Sequence, residues 1–406
     1  MTRPADLRRG RRAVFAGTFA VYAAASFAGP IAPDIAAALG RESADPAFLV
    51  VPFTAAFGLL FPFWGRLVDR RGVRLPIIAS LALIAIPGCA LALVDSDEAL
   101  MVLRFLQGAG AAGMPPAAQA YLVRAAPADE SGRAIGAMMV AVVLGTLASQ
   151  AIAGLLEALA GWRGAVLVLA GLLPAVTAAW ALAVLIPEQA PVRRAPSPPL
   201  RALLADRRVT SGYAVAALLF GSYWTLLAGL GETLRFERFD LSASAAGLVP
   251  MLGVLGVLAT VASGRAVDRF RQRAPMLAVA ATGSALALAL SGQRELLGFV
   301  SVVAVFLTVY WALLPIVSLQ VARHAPPEAT GTALALVFSS LWLGAAAWGL
   351  GASLLLDGFT EVALATAASW ALAGVAALAF EGRAERDRGD HAGDDQPARE
   401  EHEIRL

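Results

Sequence analysis

The chain reads as long apolar runs separated by short polar clusters. Twelve runs stand out, over about 13–39, 46–65, 75–94, 98–123, 133–157, 163–186, 209–232, 244–263, 275–291, 295–321, 329–356 and 360–380. A helix rises about 1.5 Å per residue, so roughly twenty apolar residues cross a hydrocarbon core of about 30 Å. Buried backbone amides in lipid must bond within the segment, which leaves helices or closed barrels. These runs lack the in–out alternation of barrel strands. The pattern predicts an all-α membrane protein of twelve transmembrane helices.

Segment 187–208 is rich in Pro and Arg and predicts a linker, with one helical bundle over 1–186 and another over 209–380. From Glu381 to Leu406 acids and arginines alternate with Gly and Pro, and a disordered tail is expected. The apolar run after Arg8, Arg9, Arg11 and Arg12 is too long for a signal-peptide core, so it reads as a retained first span.

Composition agrees. Hydrophobic residues make up 58% of 406 and charged residues 15%, against about a quarter charged in soluble domains. Every cation is Arg, and with abundant Ala this suggests a GC-rich, bacterial source. Net charge of +2 gives no reason to expect nucleic-acid binding. The single Cys89 excludes an internal disulfide and a cysteine metal cluster. The amino end, alternate loops and the tail hold 26 of the 32 Lys and Arg residues, all of them arginines, so both termini are expected in the cytoplasm.

One hexapeptide occurs twice. Gly65-Arg66-Leu67-Val68-Asp69-Arg70 follows the second run, and Gly264-Arg265-Ala266-Val267-Asp268-Arg269 follows the eighth. Equivalent positions in two sets of six spans indicate duplicated halves, a common transporter plan with a central site.

With Gly72 and Arg74 added, the first copy resembles the cytoplasmic loop motif of the major facilitator superfamily. Val73 stands where that family often has a base, and the second copy has Arg271 in place of the downstream glycine. The resemblance implies the major facilitator fold, two pseudo-symmetric six-helix bundles. It also implies a gating role for Gly65, Arg66, Asp69, Arg70, Gly72 and Arg74, with Asp69 facing the start of span eleven near Thr330–Gly331. Asp268 and Arg269 would be weaker counterparts. A plain positive anchor that sets topology is the competing reading.

Span four carries Leu100, Arg104, Gln107, Gly108, Gly110, Ala111 and Ala112 in the spacing of the family's fourth helix. A charge inside a span is costly and usually faces protein or a water-filled cavity. Arg104 is therefore a coupling candidate, with snorkelling to the surface as the alternative. The glycines are expected to allow close packing. Span five is similar to the antiporter pattern in glycine spacing, but Ser149-Gln150 and Ala153-Gly154 replace the pairs usual there.

Asp34 and Glu232 lie near the outer ends of spans one and seven and are further coupling candidates, against plain interfacial acids. Tyr22, Ser26, Gln107, Ser149, Gln150, Tyr223, Trp224, Tyr310, Trp311 and Trp342 are cavity candidates, since amphipathic rings can line a pocket for flat apolar molecules.

The three histidines fall in loops or tail, and no nucleophile–base or metal-ligand spacing appears inside a span. No phosphate loop is present. An enzyme or a primary pump is therefore not expected, nor a cofactor. The leading expectation is a monomeric secondary transporter in a bacterial inner membrane, among lipids, exporting a small molecule against protons. Uptake symport and a transport-dead receptor are the alternatives.

Overall fold

The computed structural model describes residues 4–41, 46–125, 131–185, 207–269, 273–325 and 330–393. Among them the chain is helical throughout, without strands. Ten stretches are long and apolar enough to cross a membrane. One of these, Met138–Val184, turns at Gly161, where φ is +69°, and so makes two crossings. Span four is a further crossing in two pieces, Asp97–Ala111 and Met114–Ala125, interrupted before Pro115–Pro116. Proline lacks an amide and clashes with the preceding turn, which explains the break.

The surface has the polarity of a membrane protein. Ile86, Leu93, Leu297 and Leu355 are 72–80% exposed, while Arg104, Gln107 and Ser149 are buried. Lipid accepts the apolar exterior, and the interior must satisfy its own polar groups.

Span one begins at Pro4, earlier than expected, and is not continuous. Its helix ends at Ser26, a 3-10 turn covers Gly29–Ile31, and helix resumes over Ala32–Ala38. Pro30 and Pro33 account for the interruption. Span eight is likewise mixed, with Ala243–Leu248 helical, Val249–Leu255 a 3-10 segment containing Pro250, and Gly256–Arg269 helical. Span seven ends in a π-helical turn, Thr233–Glu237. Such turns often occur at functional positions.

Two expectations about element ends are corrected. The repeated hexapeptide is not a loop. The second span runs over Val51–Arg71, so Gly65 to Arg70 lie on its last turns, and Gly72, with φ at +74°, ends it. Arg and Leu are good helix formers, whereas a positive φ favours glycine. The second copy similarly lies on Gly256–Arg269. Second, the last helix continues to Gly393, so 381–393 is helical where a disordered tail was expected. Residues 394–406 and most of the 187–208 linker, up to Asp206, lie outside the described residues.

The two halves meet chiefly through spans two and eleven, five and eight, and one and seven. The start of span one and the end of span twelve belong to one end of the bundle, called proximal here; the opposite end is distal. At the distal end backbones approach so closely that only glycine fits. A Cβ at Gly231 would overlap the Gly29 carbonyl, one at Gly154 the Ala243 carbonyl, and one at Gly247 the Gln150 carbonyl. Gly65, on the proximal side, has none of the described residues within 4 Å of where its Cβ would stand.

Candidate functional site

Helix ends determine the surroundings of Arg104. The last four carbonyls of a helix have no intrahelical donor, and the dipole there is negative. Arg104 is 1% exposed and donates through Nη1 to the Ala24 carbonyl at 2.9 Å and through Nη2 to that of Ala25 at 3.4 Å. Both carbonyls lie in the last turn before span one breaks. Its Nε donates to the Leu49 carbonyl at 2.9 Å, at the end of the short helix Pro46–Leu49. Nη1 also donates to Gln107 Oε1 at 3.0 Å. One guanidinium thus caps two helix ends and does not snorkel. The Phe53 ring lies over it, its centroid 4.5 Å from Cζ.

Gln107, expected to line the cavity, instead braces Arg104, with Nε2 donating to the Ile84 carbonyl at 3.5 Å. Ser149 and Gln150 bond back to the Thr146 carbonyl of their own helix. Gln150 Oε1 packs against Gly29, and its backbone packs against Gly247 of span eight. The Ser149 bond thus stays within its own helix, while Gln107 and Gln150 hold neighbouring helices together. The motif glycines do so too, with Gly108 against the Phe53 backbone and Gly113 against the Trp64 ring.

The aromatic candidates converge. Trp342 of span eleven is 1% exposed and stacks on Phe57 of span two, with centroids 4.1 Å apart at 22°. It also meets Tyr22 of span one at 6.3 Å and Phe220 and Trp224 of span seven at 5.1 and 5.3 Å. Tyr223 and Tyr310 stack at 3.3 Å and 4°, and Trp311 lies edge-on to Tyr310 at 5.1 Å. Rings from both halves therefore form one cluster around Trp342. Tyr22, Tyr223, Trp224, Tyr310, Trp311 and Trp342 are the cavity candidates expected from the sequence; Phe53, Phe57 and Phe220 join them only in the structure. A period of four from Phe53 through Phe57 to Phe61 was the available signal. Ser26, at the break in span one, is buried.

At the distal end Asp34 and Glu232 do not pair as symmetric acids. Asp34 forms an ion pair with Arg235 of the π-turn, across the two halves, and Arg235 also donates to the Pro30 carbonyl at 3.1 Å. Glu232 is half-buried, one turn before Arg235.

At the proximal end, Arg66, Asp69 and Arg70 are exposed on the last turns of span two, and Arg74 donates to the Leu182 carbonyl of span six at 3.0 Å. The side chains of Asp268, Arg269, Thr330 and Gly331 lie outside the described residues, as does Arg271.

Residues 14–349 match the Major Facilitator Superfamily. The chain belongs to that family. It is a multi-pass membrane transporter, not an enzyme. The multi-drug resistance efflux pump PmrA of Streptococcus pneumoniae is 35% identical over 157 residues, which covers 37% of this chain and 39% of PmrA. The multidrug resistance protein MdtG of Proteus mirabilis is 30% identical over 155 residues, covering 37% and 38%. The chain thus matches less than half the length of these relatives. The crystal structure of a bacterial homolog of the human lysosomal transporter Spinster, inward-facing and occupied, superposes with a TM-score of 0.76. It covers 94% of this chain and 98% of that one at 16% identity, which shows a shared fold.

Proposed function

We propose that this transporter exports small, flat organic molecules across a bacterial cytoplasmic membrane, as a monomer among lipids, by alternating access driven by protons. The observation that carries the reading is the Trp342 ring cluster. It draws on spans of both halves, so its walls must part and re-form when the halves rock about a central site. The multidrug names of the relatives support the outward direction. The placement of arginines supports cytoplasmic termini and a distal end on the outer side.

No Asp, Glu or His stands at mid-depth in any span, so coupling through a central carboxylate is unsupported. The Asp34–Arg235 pair is the better place. Protonating Asp34 removes its charge, weakens its hold on Arg235 and favours separation of spans one and seven. The substrate site and the proton site then communicate through the closing of the distal end.

The test is flux in proteoliposomes under an imposed pH gradient. Export predicts that substrate moves against protons and that protons move when substrate is added. Substrate moving with protons would instead establish uptake symport. Binding without any flux would establish a receptor.

A further inference from the structure

We infer that the site around Trp342 selects uncharged aromatic molecules bearing hydrogen-bond acceptors and rejects lipophilic cations. This rests on the transport reading above and concerns what the same site recognises.

The first ground is a set of unused polar atoms. Trp224 Nε1, Trp311 Nε1, the Tyr223 hydroxyl, Ser26 Oγ and Ser339 Oγ are buried and have no hydrogen-bond partner among the described residues. All five side chains belong to residues at most 6% exposed. Buried polar groups are rarely left unpaired, and a group without a protein partner points to one supplied from outside. An indole N–H can only donate. The two indoles lie at the ends of one chain of rings, Trp224 to Tyr223 to Tyr310 to Trp311. A flat molecule sliding onto those rings would be met by donors at either end, so its complementary groups are carbonyl, nitro, ether or quinone oxygens.

The second ground is charge. The acids of the spans are confined to their ends: Asp34, Asp97, Glu98, Glu157, Glu232, Glu295 and Glu361 distally, Asp69 and Asp268 proximally. Among the described residues the charge at the core is Arg104; its Cζ lies 4.5 Å from the centroid of the Phe53 ring, which also meets Trp342, at 6.2 Å. A bound cation would find ring faces, which attract it weakly, but no counter-charge, and it would sit one ring away from a guanidinium. Desolvating an unpaired charge outweighs a few ring contacts. An anion fares little better, because four of the five Arg104 donors are already committed to Ala24, Ala25, Leu49 and Gln107. Neutral acceptor-bearing rings suit both the spare donors and the field.

The experiment measures equilibrium binding to the full-length protein in lipid nanodiscs, with empty discs subtracting lipid partition. The uncharged probes are chloramphenicol, menadione and coumarin; the cations are ethidium and tetraphenylphosphonium. At least one uncharged probe should bind ten or more times tighter than either cation. W224F and W311F should each weaken that probe by about three- to tenfold, the loss of one donor. The wild-type comparison stands even if one variant does not fold. Cations binding as tightly as the uncharged probes, or no uncharged probe binding, overturns the inference. Outward flux of the bound probe is scored separately. Binding with the expected preference but no export would sink the export reading and leave the selectivity standing.

Discussion

Asp34 of span one and Arg235 of span seven form an ion pair that ties the two halves together at the distal end. Side-chain exposures of 24% and 11% place it between a surface pair and a buried one. Around it, Gly29 and Gly231 bring the two backbones into contact. Removing either charge should shift the balance between distal-closed and distal-open states by about 1–2 kcal/mol, a five- to thirtyfold change in population. Accessibility of a cysteine introduced at the distal mouth should rise in D34N and in R235Q. The exchange of both, Asp34→Arg with Arg235→Asp, should restore much of the closure. Unchanged accessibility in both single variants would show that the pair is incidental.

Gly231 offers an independent handle on the same closure. Gly231→Val places side-chain atoms where the Gly29 carbonyl now stands. The distal end should then fail to close, with cysteine accessibility at least as high as in D34N. A variant that closes normally would mean that the helices can separate there at little cost.

Arg104→Ala would leave three carbonyls at two helix ends without their donor. Each buried unsatisfied group costs about 1–3 kcal/mol, so a lowered Tm and lost transport are expected together. Arg104→Lys has one nitrogen for carbonyls on two helices and should recover only part of the stability. Arg41→Ala breaks the 2.5 Å pair with Asp97, whose side chains are 28% and 27% exposed. It should change stability by less than about 1 kcal/mol. Equal, mild losses for Arg104→Ala and Arg41→Ala would refute the capping role.

Trp342→Ala removes the ring that joins Tyr22, Phe57 and Trp224 across the halves. Emptying a packed aromatic site costs about 3–5 kcal/mol, so the Tm should fall. Trp342→Phe should keep the fold while altering substrate preference, read as the ratio of export rates for two substrates. An unaltered ratio would place substrate elsewhere.

Asp69→Asn should slow transport while leaving membrane insertion intact, as expected of a group that alternates between partners during gating. Transport at the wild-type rate would reduce the Gly65–Arg70 segment to a topological anchor.

Spans were legible in the sequence because each is a local property. About twenty apolar residues, flanked by arginines, form a helix whatever their neighbours are. The repeat exposed the two halves for the same reason, as it is a comparison of the chain with itself. The interruptions were signalled by Pro30, Pro33 and Pro115, and the role of the motif glycines in packing followed from their size. That Gly72 ends the second span depended on a backbone angle, which the letters do not carry.

Tertiary structure decided which polar groups serve packing and which face the centre. Gln107, Ser149 and Gln150 are as polar and as buried as Ser26, yet their bonds go to helices rather than to the ring cluster. Arg104 finds its partners in backbone carbonyls far away in sequence, and no pattern of side chains announces a backbone acceptor. Asp34 meets Arg235 because two halves pack against each other across a separation of some two hundred residues. The sequence alone determined that this is a two-part membrane carrier. Only the packing of one half on the other determined where its distal end closes and which rings surround its centre, because both are properties of surfaces that exist only once the helices have been brought together.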